Sequence, residues 1–382
     1  MSAFVFPALP AEDQVQTAFQ HFYNLEYHEA LADFEQASAR EPNDPDLYNH
    51  IAETLLFQEM FRNGALESEL VSGNNSFLRR PKLNPSPETE EQFLSALAKA
   101  MSLCQTRLQK NPNDVAAHYA LGISYGLRSN YYWLVKKSWR DSLKDATAAR
   151  REHRRVMELD SSNVDARMIP GLHDYVAGSL PWAFRALAAI LGVRGDKERG
   201  IRTVEEVAAK GSRNRTDAQI LLCALYRREN RPRNAIPYIQ ELIHQFPRNY
   251  ILRLELSQMY SVAGEKAPAL AAVEELAGLK MRHAPGYDRL PWEKIWFQRG
   301  IIQFWYRDLD AALENLQKVA ASTERVDLNT EAWARLRVGQ IHDLQNRREQ
   351  ALECYKKTIE FAPQAEAAQE ARKYLSTPYH RT

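Results

Sequence analysis

Apolar residues recur three or four positions apart through most of the chain, in runs of a dozen or more residues separated by short polar turns. That spacing predicts a succession of amphipathic helices and no strands. Two of the runs repeat each other. ALADFEQASAREPND returns as ALECYKKTIEFAPQA, which aligns Ala30, Phe34, Ala37 and Pro42 with Ala351, Tyr355, Thr358 and Pro363. A small Ala lets two helices approach, the aromatic ring fills the groove between them, and the Pro ends the helix. The pattern is therefore the second half of a helix-turn-helix unit of about 34 residues. Units phased this way start near residues 11, 45, 115, 164, 216, 250, 293 and 332. Their first helices carry a large, small, then aromatic or large side chain, as in Ile51, Ala52, Leu55 or Leu121, Gly122, Tyr125. The same order holds for Leu222, Cys223, Tyr226 and for Leu256, Ser257, Tyr260.

This pattern resembles the tetratricopeptide repeat family. The resemblance implies an all-α, right-handed superhelical solenoid of about eight helical hairpins, with a concave groove lined by first helices. After an N-terminal tail, residues 1–10, we expect one continuous solenoid over 11–375. It is irregular over 45–215, regular over 216–365 and closed by a capping helix at 366–375, with 376–382 a C-terminal tail. Glu366, Glu370, Arg372 and Lys373 would give the capping helix its polar outer face.

Insertions fall in the second, third and fourth units. The first, rich in Gly, Asn and Pro between Gly64 and Pro87, reads as loop. In the third unit Tyr131, Tyr132, Leu134, Val135 and Trp139, flanked by Lys136, Lys137 and Arg140, read as an apolar stripe on an extended second helix. Packing is the plainer account of such a stripe, and an anionic surface is the other. The fourth unit inserts an apolar helix from Leu180 to Leu191, begun by Pro181 and stopped by Gly192. It is too short to cross a bilayer. Ser179, Leu180, Pro181, Arg185, Leu187, Gly192, Gly195, Asp196, Lys197 and Gly200 make this block similar to the tetratricopeptide repeat protein 39 family and its inclusion-body and lipid-associated relatives. That resemblance implies an interaction scaffold linked to lipid or inclusion handling, without catalytic residues.

Composition agrees with a helical globular chain. The 382 residues are 45% hydrophobic and 26% charged, with only 15 Gly and 18 Pro, which excludes most all-β folds. A formal charge of +1 gives no global field toward nucleic acid, so no nucleic-acid partner is expected. The charge is uneven. Residues 1–75 hold 13 acidic and 2 basic residues, while 128–234 hold 22 basic and 13 acidic. Cys104, Cys223 and Cys354 are too far apart for a disulfide framework or a metal knuckle. The opening MSAFVFPALPAEDQ lacks a basic n-region, which gives a cytoplasmic location as written. An extracytoplasmic one would follow if a signal peptide precedes it.

Chemistry is sparse. Gly195 to Gly200 has the spacing of a phosphate loop, but Ile201 and Arg202 follow where Lys and Ser/Thr are needed. A helical metal-dependent phosphohydrolase would draw on His153, His173 with Asp174, and Asp217, with His342 and Asp343 as a second pair. His153 and His342 fall on repeat positions that face the core, so this stays a remote alternative. No metal and no cofactor are expected. The function expected is a monomeric, non-catalytic scaffold that binds a protein or peptide partner in its groove. Asn49, Glu53, Tyr119, Ile123, Ile220, Arg227, Leu254, Gln258, Phe297, Ile301 and Phe304 would line that groove. Tyr131, Tyr132, Trp139, Trp182 and Arg194 would supply accessory surface. The alternative is a lipid or membrane-surface adaptor using the apolar 180–191 helix. Three Gly between 192 and 200 make that loop a hinge or a fixed corner. With Asp196 placed to cap the next helix, a fixed corner is expected.

Overall fold

The computed structural model describes residues 11–66, 82–182, 194–322 and 328–380, and every regular element among them is helical. Two compact units are present, Met1–Glu229 and Asn230–Thr382. The first contains α1 (Ala11–Tyr23), α2 (Tyr27–Arg40), α3 (Pro45–Arg62), α4 (Pro87–Lys110), α5 (Val115–Tyr131), α6 (Trp139–Leu159), α7 (Met168–Gly178), α8 (Lys197–Lys210) and α9 (Arg215–Arg228). The second contains α10 (Pro232–Gln245), α11 (Tyr250–Val262), α12 (Lys266–Met281), α13 (Trp292–Trp305), α14 (Leu309–Ala320), α15 (Leu328–Leu344), α16 (Arg348–Phe361) and α17 (Glu366–Ser376).

Neighbouring helices pack as antiparallel hairpins, α1 with α2, α3 with α4, α5 with α6 and α7 with α8 in the first unit. In the second, α11 packs with α12, α13 with α14 and α15 with α16, and α17 covers the last pair. The repeated motif accounts for this. Ala30, Phe34 and Ala37 on α2, and Ala351, Tyr355 and Thr358 on α16, are all 0% exposed. The small position of the first helix is equally strict. A methyl group added at Gly122 would come 2.6 Å from the His153 ring, at Gly300 2.7 Å from Leu316, and at Gly339 2.6 Å from Tyr355. Each Gly thus sets how closely the two helices of its hairpin approach.

Helix starts follow ordinary capping rules. Asp44, Ser86, Asp114 and Asn249 each accept a backbone N–H from the first turn of α3, α4, α5 and α11. The turns inside hairpins share a feature that sequence reading did not anticipate. A residue two positions before a second helix has positive φ: Leu25, Gly264, Arg307 and Asn346. One of these is Gly and one Asn, which adopt this conformation readily, so it is at Leu25 and Arg307 that the hairpin holds a left-handed corner on side chains that disfavour it.

The third unit departs from expectation. Tyr131 ends the first helix of its hairpin, residues 132–136 form a π turn, Lys137 adopts φ 54°, and the second helix begins only at Trp139. The aromatic stripe therefore runs from the end of α5 through the π turn to the first residue of α6. Tyr131, Leu134 and Val135 are buried, Tyr132 is half-buried, and only Trp139 stands out at 58% exposure. In the fourth unit the apolar 180–191 helix lies outside the described residues from 183 onward. Of the corner that follows it, residues 194–200 are described. Asp196 accepts the Arg199 N–H at 2.6 Å, and Arg199 Nε pairs with Asp174 at 2.8 Å. Among the described residues no helix is long and apolar enough to cross a membrane.

Candidate functional site on the inner face of the first unit

Side chains from the first helices α1, α3, α5 and α9 converge on one inner face of the first unit. Asn49 on α3 donates to the Ala120 carbonyl at 2.9 Å and accepts from the Ser124 hydroxyl at 2.6 Å, which fixes α3 against α5. Asp165, in the turn before α7, accepts backbone N–H groups of Ser212, Arg213 and Asn214. Burial alone would push its carboxyl up, but these bonds outweigh it and hold the group below the usual carboxylate range. The same bonds hold the chain entering α9. From there Arg213 reaches Asp46 on α3 at 2.9 Å and lies 5.5 Å over the Tyr119 ring of α5.

Beyond Arg213, the first turn of α9 presents Asp217. Its Oδ1 accepts the Tyr23 hydroxyl of α1 at 2.8 Å, a bond between residues 194 positions apart. Glu53 of α3 faces the same space, with His50 Nδ1 at 3.7 Å from its Oε2. Phe19 and Phe34 hold the His50 ring, with centroids 4.7 and 5.1 Å away. A carboxylate in a helix's first turn is ordinarily stabilised by the macrodipole. Here desolvation by burial is the larger effect and the Glu53 charge adds to it, so the Asp217 carboxyl is pushed up to about 7 against the opposing pull of Tyr23 and His50. Burial and the Asp217 and Glu53 charges also raise the Tyr23 phenol. Among the described residues neither Asp217 nor Glu53 pairs with a Lys or Arg.

Of the residues expected to line a groove, the first unit brings Asn49, Glu53 and Tyr119 to this face. Asn49 and Tyr119 are buried, Glu53 and Ile123 half-buried, Ile220 exposed and Arg227 buried. In the second unit Leu254, Gln258 and Ile301 are half-buried, whereas Phe297 and Phe304 belong to its hydrophobic core. Of the accessory residues, Trp139, Trp182 and Arg194 are exposed. Tyr23, His50, Arg213 and Asp217 complete the inner face without having been expected there.

The residues offered for a phosphohydrolase are not gathered into a site. His153 is 0% exposed, neither ring nitrogen has a hydrogen-bond partner, and burial lowers its pKa to about 4. Asp174 is engaged by Arg199, and Asp217 by Tyr23. Asp343 holds Arg348 and Tyr355. Among the described residues no group of three or more His, Cys, Asp or Glu is placed to hold a metal. Cys104 is buried, and desolvation pushes its thiol up to about 12, away from nucleophilic use.

No family model matches the chain and no curated protein matches it in sequence. Solved structures do resemble it. The chain is similar to the crystallised APC/C hetero-tetramer Cut9–Hcn1, with a TM-score of 0.50 at 14% identity over 95% of this chain. It spans 55% of the length of that structure's matched chain. It is also similar to human IFIT1 in a dimer with m7Gppp-AAAA (TM-score 0.45, 14% identity, 98% of this chain and 84% of that one). A third likeness is to yeast Tom70 (TM-score 0.41, 13% identity, 96% and 95%). The fold is a tetratricopeptide-like, all-α repeat solenoid.

Proposed function

We propose that the chain is a non-catalytic interaction scaffold, and that the inner face of its first unit takes an extended segment of a protein partner. A Lys or Arg of that segment would complete the charge of Glu53 and Asp217. The reading rests on one observation, two carboxylates from different helices turned into one partly desolvated space, with His50 beside Glu53 and no Lys or Arg paired with either carboxylate among the described residues. Two such groups repel, and a cation seated between them relieves the repulsion and favours ionisation of both. Asn49, Tyr119, Ile123 and Ile220 are assigned to the same face as part of this proposal. Titration of labelled extended peptides by fluorescence anisotropy tests it. Lys- or Arg-bearing peptides should bind more tightly as pH rises through about 7, where Asp217 ionises. Asp217→Asn should weaken them about tenfold, and matched Glu-bearing peptides should not bind. Equal affinities for the variant and the parent at pH 8 would remove the proposal.

A second reading follows from the block at 179–200 that resembles the tetratricopeptide repeat protein 39 family. Trp182 is 79% exposed where the chain enters the apolar insertion, and an exposed Trp is suited to a lipid interface. On this reading the chain floats with liposomes containing anionic lipid, and Trp182→Asp abolishes flotation. A chain that stays in the dense fraction at low salt would dispose of it.

A further inference from the structure

After α17 the chain does not leave the second unit. Residues 377–380 turn back in extended form, with Thr377 at φ −127° and ψ 125°, across the first helices α13 and α15. The Tyr379 backbone N–H donates to Asp343 Oδ2 at 2.8 Å. The Tyr379 ring lies against Phe304 of α13, centroids 6.2 Å apart, and edge-on to Tyr374 at 5.2 Å. Phe304 is 0% exposed with this ring packed on its cluster.

The receiving side chains are also held by partners outside the segment. The Asp343 side chain is 1% exposed and is held by Arg348 Nη1 at 2.9 Å and by the Tyr355 hydroxyl at 2.7 Å. Arg348 also takes the Tyr374 and Leu375 carbonyls at the end of α17. Arg337 lies 5.1 to 5.2 Å over the rings of Phe304, Trp305 and Trp333 and braces the aromatic wall. A pre-oriented carboxylate for one backbone N–H, beside a slot for one ring, is how a groove reads an extended peptide.

We propose that this slot is a peptide-binding site occupied in cis by the segment following α17, and that the partner it fits is an extended peptide presenting a Tyr with a free backbone N–H. Pro378 precedes the anchor and restricts the chain to extended conformations before the ring, which lowers the ordering cost of docking. Tethering gives the cis segment an effective concentration on the order of millimolar, so a free peptide competes poorly until the segment is displaced.

The test uses a labelled synthetic pentapeptide Ser-Thr-Pro-Tyr-His, the sequence of residues 376–380. It is titrated into the full chain, the full chain carrying Tyr379→Ala, and a chain ending at Ser376. Both variants should bind the peptide about tenfold or more tighter than the parent does, and a peptide with Ala in place of Tyr should bind none of them. If the shortened chain loses its helical circular dichroism, the Tyr379→Ala chain carries the comparison alone. A folded variant that ignores the peptide, or equal binding by parent and variant, would show the segment to be plain structural packing and overturn the proposal.

Discussion

Asp217 shows how one residue's surroundings can reverse what its position implies. Its place in the first turn of α9 favours the charged form, yet burial and Glu53 raise its pKa from 3.8 to about 7. The folded state therefore binds a proton that the unfolded chain releases. Its contribution to stability is greatest below about pH 4, falls as pH rises toward 7, and levels off above it. Asp217→Asn keeps an acceptor for Tyr23 and removes the ionisation. The variant should match the parent near pH 4 and exceed it at pH 8 by roughly 1–3 kcal/mol, discounted for partial exposure. Urea midpoints at the two pH values measure this, and a difference that does not grow with pH would contradict it. Repeat phasing says which positions of a first helix face inward, which is why Glu53, Asn49 and Tyr119 were expected at a groove; Asn49 and Tyr119 are buried, and only Glu53 of the three is half-buried. Asp217 was singled out only as a candidate metal ligand, since nothing local in the sequence records its pairing with Tyr23.

At the scale of elements, the hairpins were legible because their core positions tolerate so little. Ala30 and Phe34, or Ala351 and Tyr355, can hardly be anything but small and aromatic when both helices must close on them. The π turn at 132–136 was not legible, because it adds residues that leave the apolar spacing intact while moving the helix end. The left-handed corners at Leu25, Arg307 and Asn346 escaped notice for a related reason, as such corners are sought at Gly. The loop before α8 gives the opposite case. Its glycines suggested backbone freedom, but Gly195 and Gly200 do not have positive φ. A methyl group on Gly195 would meet the Asp174 carbonyl at 2.5 Å, and one on Gly200 the Tyr175 nitrogen at 2.5 Å. They are there so that α7 and α8 can touch, which favours a fixed corner over a hinge. Asp196→Ala should then cost about 1 kcal/mol in a denaturant titration, with peptide binding on the inner face unchanged. Lost binding at an unchanged melting temperature would make the corner a contact surface instead.

For the whole molecule, the uneven charge is partly spent internally. Arg213, from the basic stretch, meets Asp46 of the acidic one. The excess in either stretch is thus a poorer guide to partners than the sequence suggested. The Tyr23–Asp217 bond has a consequence of another kind. An open array of hairpins exchanges information only between neighbours, so its ends can fray while the middle holds, and it folds quickly because nearly every contact is local. A bond from the first helix to the ninth gives the first unit a clasp. The clasp can engage only after the intervening hairpins have stacked, which makes it a late event in folding. Once engaged, it ties the opening of α1 to that of α9, so amide hydrogens at the two ends of the unit share one protection factor instead of two.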